Sequence, residues 1–185
     1  VVPTDVAEPR QLDALVRAAA DQLGAVDLLV NNAGIEEIGF FEDISPEEID
    51  LHTRVNLIAP MQLARAVLPG MLARDRGHIV NMASVAGLAP MGFGETYGAT
   101  KAGLLNFSRS LRASLRARGT QVRVSAVCPG FVPVTAAESV RGPMRWFMRH
   151  VLAHMPFARS LDQAAGALAW MAVDPAMEGV GGMYY

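Results

Sequence analysis

Short apolar segments of strand length alternate with amphipathic helical patterns along this chain of 185 residues. Residues 78–82 and 122–127 are apolar runs of strand length, and residues 96–118 between them have the length and pattern of a helix. Alternation of this kind is typical of βαβ units, in which helices connect the parallel strands of one sheet. We therefore predict a single α/β domain over residues 1–185.

Local signals place several element ends. A 3.6-residue spacing of apolar side chains predicts a helix over residues 12–23, which Gly24 ends. Ser45 and Glu48 have the spacing of a capping box, with Pro46 at the first helical position, so another helix begins there. Further strands are predicted at residues 27–30 and 181–185, and further helices within residues 136–157 and 160–173.

The composition allows a large core and argues against several functions. Hydrophobic residues make up 51% of the chain and the mean hydropathy is +0.25, which argues against disorder. The formal net charge of −2 argues against nucleic acid or an anionic membrane as the main partner. No apolar run approaches the roughly 18 residues of a membrane span. Cys128 is the single cysteine and is predicted to lie in the core, so we expect no internal disulfide and a cytoplasmic protein.

Tyr97 and Lys101 are four residues apart on a predicted helix, so both side chains lie on one face. An ammonium beside a phenol favours the phenolate, and we expect Lys101 to lower the pKa of Tyr97. Such a phenol can exchange a proton with a substrate oxygen. Taken alone, this spacing also arises by chance on many surface helices.

Several further signals converge on one edge of the predicted sheet. Ser84 lies at the carboxyl end of the strand over residues 78–82, Asn31 to Gly34 follow another strand, and Pro129-Gly130 follows a third. Sites in open parallel sheets form outside the carboxyl ends of the strands. We therefore predict that Ser84 and Tyr97 meet the same substrate oxygen at this edge.

Asn56 precedes Pro60 by four residues in a helical pattern. Because proline has no N–H to donate, the carbonyl of Asn56 loses its helical partner and the helix is predicted to kink. A freed carbonyl at that point could hold a water near the site.

Taken together, these motifs resemble the classical short-chain dehydrogenase/reductase family. The resemblance extends from about Thr4 to the C-terminus and rests on residue type, order and spacing at Asn31-Asn32-Ala33-Gly34, Asn56, Ser84, Tyr97-x-x-x-Lys101 and Pro129-Gly130. It implies a doubly wound, Rossmann-like parallel sheet. It also implies an oxidoreductase that uses NAD or NADP on a carbonyl or alcohol.

By this resemblance, Tyr97 is the catalytic acid/base and Ser84 stabilises the substrate oxygen. Lys101 lowers the pKa of Tyr97 and hydrogen-bonds the nicotinamide ribose. Asn56 holds the water of a proton relay that begins at Lys101.

The resemblance also implies cofactor contacts. Asp5 and Val6 correspond to the pair that contacts adenine, while Asn32, Ala33 and Gly34 line the adenosine side.

The nicotinamide side follows Pro129 and Gly130, where Val132 would meet the carboxamide. The family's threonine two residues later is replaced by Val134, so either a local bulge brings Thr135 into place or the contact is lost.

The sequence departs from the family in one larger respect, because it contains no Thr-Gly-x-x-x-Gly-x-Gly turn to hold a pyrophosphate. By this resemblance it begins at the family's third strand, so we expect the first two strands and their helices to be missing. We expect such a chain to bind cofactor poorly or not at all, and the choice between NAD and NADP stays open.

Residues at about 135–158, rich in methionine and aromatic side chains, form either a packed helix or a lid over an apolar substrate. His150 and His154 have the spacing of a metal pair but lack a third ligand, so we interpret them as ordinary histidines and expect no metal. Met91 and Phe93 favour an apolar carbonyl or alcohol substrate.

The helix over residues 96–118 is apolar on more than one face, which indicates burial on two sides. The resemblance adds that this helix commonly pairs between subunits, so a homodimer or homotetramer is expected.

Two functions remain open at this point. The first is an NAD(P)-dependent oxidoreductase acting through Tyr97, Lys101, Ser84 and Asn56. The second is a non-catalytic protein of the same fold that serves only as a binding or assembly module, a reading that the missing glycine-rich turn favours.

Overall fold

Three parallel strands form the sheet of this protein, whose computed structural model describes residues 1–129, 150 and 162. The strands are β1 (Leu28–Asn31), β2 (His78–Met82) and β3 (Arg123–Val127), in the order β1-β2-β3. Helices connect them: α1 (Pro9–Leu23) precedes β1, α2 (Pro46–Thr53) and α3 (Ala59–Ala73) link β1 to β2, and α4 (Glu95–Ala117) links β2 to β3. The predicted α/β class with a parallel sheet is confirmed.

The predicted element ends are close to those observed. Strand β2 has the predicted bounds, while β1 and α4 are each displaced by one residue from their predicted positions. Helix α1 ends at Gly24, whose φ of 77° is a conformation that glycine adopts at little cost. Helix α2 begins with the predicted capping box, in which Ser45 accepts from the Glu48 N–H and the Glu48 carboxylate accepts from the Ser45 N–H.

The core lies between the sheet and its helices. Leu29, Ile79 and Val124 are partners in the register of adjacent strands, so their side chains form one row on the same face of the sheet. That row packs against Met71 of α3 and Leu115 of α4. Full burial of an apolar side chain of this size contributes about 1.5–3 kcal/mol, so the row holds α3 and α4 against the sheet.

The helix around Asn56 widens rather than breaks. Residues Arg54–Ile58 form a π turn, in which the Ala59 N–H donates to the carbonyl of Arg54, five residues back. Pro60 then takes the second position of α3. The missing N–H of Pro60 is accommodated by this wider turn, and the helix continues into α3.

The continuous helix over Pro46–Ala73 is long and apolar enough, by length and composition, to cross a membrane. This qualifies the expectation that no such stretch exists. Its most apolar window has a mean hydropathy of 1.2 and is 44% buried inside the protein. Leu63, Ala64, Val67 and Met71 on this helix are buried against the core, which is the packing of a core helix.

His78, at the start of β2, makes the stability of the protein depend on pH. Its Nε2 lies 2.9 Å from Ser125 Oγ, and only 4% of the residue is exposed. Burial, and to a lesser degree the charge of Arg123, lower the pKa of His78 to about 4. The unfolded imidazole takes up a proton below pH 6.5, whereas the folded one takes it up only near pH 4. The contribution of His78 to the free energy of unfolding is therefore fully present above pH 6.5 and is lost as the pH falls to about 4.

We expect His78→Gln, which keeps a polar group near Ser125 but does not titrate, to flatten this loss. Urea unfolding at pH 7, 5.5 and 4.5 gives the free energy of unfolding of both proteins. Between pH 7 and pH 4.5 it should fall by about 2–3 kcal/mol more in the parent protein than in the variant. Carboxylates that titrate in the same range are present in both proteins, so their contributions cancel when the two are compared. Equal slopes in the two proteins would refute this assignment.

Candidate active site

A chain of buried polar side chains runs beneath the carboxyl ends of β1 and β2. Asn31 donates from its side-chain amide to Asn81 Oδ1 at 2.8 Å and to the Pro60 carbonyl at 3.4 Å. Asn81 in turn donates to Ser108 Oγ at 2.8 Å, and Ser108 donates to the carbonyl of Leu104. Because buried polar groups are costly unless paired, this chain fixes β1, β2 and α4 in one relative position.

Ser84 follows the end of β2 by two residues and begins the short turn Val85–Gly87. Its hydroxyl oxygen accepts from the Ala86 N–H at 3.1 Å, which holds the side chain at the mouth of the turn. Ser84 also lies close enough to Tyr97 for its hydroxyl to lower the pKa of the phenol. The structure thus brings together the serine and the tyrosine that the sequence analysis placed at one substrate oxygen.

Gly87 allows the Ser84 turn to lie directly on helix α4. A Cβ at this position would lie 2.7 Å from the carbonyl carbon of Lys101 and 2.9 Å from the backbone nitrogen of Ala102. Real Cβ atoms do not approach backbone atoms so closely. The distance between Ser84 and Tyr97 therefore depends on the absence of a side chain at residue 87.

Lys101 is the only lysine of the chain and is 4% exposed. Its Nζ donates to the carbonyl of Met82 at 2.8 Å and lies 5.5 Å from the centre of the Tyr97 ring. The one-face arrangement predicted from the four-residue spacing is confirmed. The ammonium, however, is bonded to the end of β2 and not to the phenol oxygen.

The pKa of Tyr97 departs from expectation. Burial raises it, the nearby Ser84 hydroxyl lowers it, and the negative charge of Glu36 raises it further, with a net increase. The predicted lowering by Lys101 is therefore wrong for this structure, because that ammonium points to Met82. Burial also lowers the pKa of Lys101 to about 8, against the opposing charge of Glu36.

The side chain of Asn56 holds the segment after β1 in place. Its Oδ1 accepts from the Ile35 N–H at 2.9 Å, and its Nδ2 donates to the Ile35 carbonyl at 2.8 Å. The same Nδ2 lies 3.3 Å from Oγ1 of Thr100, which sits between Tyr97 and Lys101 on α4. Asn56 is fully buried and joins the π turn, the loop after β1 and α4.

Gly34 lies close to Lys101, where the resemblance places the ribose of a nicotinamide coenzyme. A Cβ there would lie 3.2 Å from Asn56 Oδ1 and 3.3 Å from Lys101 Nζ, so a larger residue would crowd the ammonium. An ammonium carries three N–H groups, and among the described residues only Met82 accepts one of them. The remaining donors fit the hydroxyls of a ribose. Asn32 and Ala33 are exposed beside Gly34, as an adenosine contact requires.

Asp5 and Val6 lie in the segment before α1. The Asp5 carboxylate accepts from the Ala7 N–H at 2.9 Å, and Val6 packs against the cluster of Leu12, Ala59 and Leu63. The exposed Asp5 is therefore held by its own turn. No described contact links it to Tyr97 or Lys101, and its adenine contact remains a prediction.

The cofactor contacts at the end of β3 are described only in part. The Pro129 carbonyl accepts from the Val85 N–H at 3.4 Å, which ties this loop to the Ser84 turn. The remaining predictions in this region lie outside the described residues: Gly130, Val132, Val134, Thr135, His154 and the lid at about 135–158. Within residues 1–129, 150 and 162, no three metal-binding side chains come together.

Sequence reasoning missed four contributors to the site. Glu36 contributes a charge and Met82 a backbone carbonyl. Gly87 contributes by having no side chain, and Thr100 contributes a hydroxyl. The carbonyl is common to every residue, and glycine, threonine and glutamate are frequent, so none of the four has a distinctive pattern. The tight spacing between Gly34 and Lys101 could be found only from the folded geometry.

Comparison with known proteins gives a consistent result. A family model described as short chain dehydrogenase matches residues 1–145. Ketoacyl reductase HetN of a Nostoc species is 46% identical over 134 residues, which cover 72% of this chain and 46% of HetN. Oxidoreductase UcpA of Escherichia coli is 39% identical over 75% of this chain and 52% of its own length. The chain thus spans about half the length of these two relatives.

A third relative is 3-oxoacyl-[acyl-carrier-protein] reductase FabG of Vibrio cholerae, 33% identical over 91% of this chain and 68% of its own length. Among solved structures, a metagenomic short-chain oxidoreductase in complex with NADP matches with a TM-score of 0.64 and 40% identity, over 69% of this chain and 57% of its own. A short-chain dehydrogenase from Streptomyces avermitilis matches with a TM-score of 0.66 and 32% identity, over 70% of this chain and 48% of its own.

Proposed function

Because this chain belongs to the short chain dehydrogenase family, we propose that it is an NAD(P)-dependent oxidoreductase that interconverts a carbonyl and an alcohol through Tyr97. The observation that carries this proposal is the meeting of Ser84, Tyr97 and Lys101 at the carboxyl edge of the sheet. The relatives include two named as reductases, and one solved neighbour holds NADP. NAD and NADP both remain candidates.

Tyr97 handles the proton of the substrate oxygen in this proposal. During reduction its O–H donates to the oxygen that gains negative charge, and during oxidation the phenolate accepts the alcohol proton. Ser84, which lies near Tyr97, donates its O–H to the same oxygen and stabilises the developing charge. When bound, a nicotinamide coenzyme supplies or accepts the hydride.

Lys101 and Asn56 support Tyr97 in different ways. Lys101 Nζ lies close to Gly34, and its N–H groups that do not bond to Met82 would hold the ribose of the coenzyme. A bound ribose would thereby fix the ammonium close to the phenol and lower the pKa of Tyr97. Asn56 holds the loop that carries Gly34, and we retain its backbone carbonyl as the proposed site of a relay water.

An apolar substrate is the class that we favour. Large apolar side chains close in sequence to Ser84 and Tyr97 are exposed to solvent: Val85, Leu88, Phe93 and, from the loop after β1, Phe40. Phe40 and Phe93 pack edge to face with their ring centres 5.6 Å apart. Exposed apolar groups gathered at one place are typical of ligand-binding surfaces.

The test is a fluorescence titration of the purified chain with NADH and NADPH, followed by oxidation of the bound coenzyme in the presence of apolar ketones. Saturable binding with turnover would support the enzyme. Absence of binding by a folded chain would contradict catalysis by these 185 residues alone. That result would favour the second proposal, a non-catalytic binding or assembly module.

We also propose that the protein is cytoplasmic and assembles as a homodimer or homotetramer. The outward face of α4 carries Ala99, Ala102, Asn106, Arg109 and Ala113, all exposed in the single chain, and three of these five are alanines. Small side chains of this kind allow two helices to approach closely. Light scattering should give at least twice the mass of one chain, and a monomer at micromolar concentration would count against the assembly.

A further inference from the structure

A small pocket lies at the start of α4, directly before Tyr97. It is lined by residues of α2, of the loop after β1 and of the segment that begins α4: His52, Glu37, Ile44, Phe93, Glu95 and Thr96. Its volume is about 10 Å³, which is room for one water molecule or one hydroxyl group. Because Thr96 directly precedes Tyr97 in α4, the pocket borders the proposed acid/base.

His52 brings a buried acceptor without a partner to this pocket. The residue is 4% exposed, and its Nδ1 lies 2.8 Å from the carbonyl of Glu48 on its own helix. Because a carbonyl can only accept, Nδ1 carries the N–H, and Nε2 of the neutral ring has a lone pair. Nε2 has no hydrogen-bond partner among the described residues. Buried acceptors of this kind are rarely left unpaired, so Nε2 indicates a donor that a bound molecule supplies.

The start of α4 brings donors to the same pocket. The N-cap of this helix is Gly94, and no side chain caps it. The first N–H groups of a helix have no partner within the helix, and Glu95 and Thr96 are the first two residues of α4. A hydroxyl group can donate its O–H to Nε2 of His52 and accept from such an N–H, so it suits both sides of the pocket.

The charges around the pocket disfavour anions. Glu37 and Glu95 are carboxylates that line it, and none of the described residues that line it is a lysine or an arginine. A phosphate or a carboxylate, which the start of a helix otherwise favours, would meet these like charges. An ammonium could donate to Nε2 of His52 but has no lone pair with which to accept from α4. The pocket therefore favours a neutral group with an O–H.

An aromatic surface beside the pocket is held in a fixed position. Phe93 has a φ of 64°, a conformation that is rare for a bulky residue. Its N–H donates to Glu95 Oε1 at 3.2 Å, and its carbonyl accepts from the Gly39 N–H at 2.9 Å. Its ring packs edge to face on Phe40, and both residues are more than half exposed. Strained backbone of this kind occurs at ligand sites, and the two rings offer an apolar body a place to lie.

We propose that the pocket binds a hydroxyl group of the substrate, separate from the carbonyl or alcohol that reacts at Tyr97. This hydroxyl donates to Nε2 of His52 and accepts from the first turn of α4, while the apolar body lies against Phe40 and Phe93. His52 is then the residue that distinguishes a hydroxylated substrate from its apolar analogue. The effect on turnover rests on the proposed oxidoreductase function, whereas binding of the hydroxyl does not require turnover.

Nitrogen-15 NMR of the imidazole rings tests the binding directly. The chain has four histidines, so comparison with His52→Phe assigns the Nε2 resonance of His52. The probe is para-hydroxyphenyl butanone, and its matched control is phenyl butanone, which lacks the hydroxyl. At about pH 8, where imidazoles are ordinarily neutral, we expect the first compound to move the Nε2 resonance saturably to lower frequency and the second to leave it in place. No shift with either compound, as for a pocket that binds water alone, or an equal shift with both, would overturn the proposal.

Kinetics test whether His52 determines specificity. In the parent protein, kcat/KM for reduction of para-hydroxyphenyl butanone should exceed that for phenyl butanone by about tenfold, the contribution of one hydrogen bond. In His52→Phe the ratio should fall to about one, chiefly through a higher KM for the hydroxylated ketone. His78→Gln, which changes a buried histidine at the start of β2, should keep the parent ratio.

The outcomes separate this proposal from the function on which its effect on turnover rests. A ratio that is unchanged in His52→Phe, or that falls equally in His78→Gln, would refute the role of His52. If His52→Phe does not fold, His52→Leu gives the same comparison. A parent protein that reduces neither ketone would count against the oxidoreductase function, while the NMR titration would still decide whether the pocket binds a hydroxyl group.

Discussion

Replacing Tyr97 by phenylalanine should lower kcat for carbonyl reduction by about a thousandfold. The variant removes one oxygen atom and leaves an aromatic ring of nearly the same shape on α4. Ser84 keeps its hydrogen bond from the Ala86 N–H and can still contact the substrate oxygen. What is lost is the proton donor itself, and general acid catalysis typically contributes 10²–10⁴-fold. Steady-state oxidation of NADH or NADPH with an apolar ketone would measure the effect.

The same variant provides its own control. Because Lys101 bonds to Met82 and not to the phenol oxygen, Tyr97→Phe should bind the reduced coenzyme with an affinity within a few-fold of the parent. A kcat above one tenth of the parent value would exclude Tyr97 as the acid. A loss of coenzyme binding equal to the loss of rate would instead indicate damage to the site as a whole.

Gly87→Ala should have the second large effect, on both stability and rate. The new methyl group would meet the Lys101 backbone at 2.7 Å, and backbone atoms cannot rotate away as a flexible side chain can. Overpacking of this kind costs typically about 1–3 kcal/mol. The Ser84 turn must shift from α4 to relieve the contact, and a displacement of about 1 Å between reacting groups can lower a rate by about a hundredfold. Urea unfolding and kcat would measure the two effects.

Gly92→Ala is the matched control for this variant. It lies five residues later, between the same two elements, and an added Cβ there has no atom within 4 Å. We expect its stability to lie within about 0.5 kcal/mol of the parent, and its kcat to be unchanged. If Gly87→Ala behaves like Gly92→Ala, the close approach of the turn to α4 does not set the Ser84–Tyr97 geometry.

The elements that the sequence predicted well are those with strong local signals. Strand β2 is a run of consecutive residues buried on both faces, and Ser45 and Glu48 carry a complete capping box. Helix α4 has a long periodic pattern with Gly119 directly after it. The order and spacing of Ser84, Tyr97 and Lys101 were likewise visible, because the spacing of side chains along a helix or after a strand is local.

What the sequence did not predict depends on contacts between distant segments. The pKa of Tyr97 rises mainly because the side chain is buried, and the charge of Glu36, 61 residues earlier, raises it further while Lys101 donates to Met82. Asn56 was expected to act through a carbonyl freed by Pro60, yet its side chain is the group that binds Ile35. Charge, burial and orientation of this kind are set by the packing of α4 against the loop after β1.

The π turn at Arg54–Ile58 has a consequence for insertions and deletions in this helix. Each residue of an α-helix turns the chain by about 100°, so a π turn acts as one additional residue whose rotation the rest of the helix absorbs. Removing Leu57 would restore a regular helix with its backbone bonds intact. It would also rotate either Asn56 or the core face of α3 by a quarter turn or more. Asn56 could then no longer bind Ile35 while α3 packs against the core. The length of this segment is therefore constrained by the geometry of the site and not by the stability of the helix.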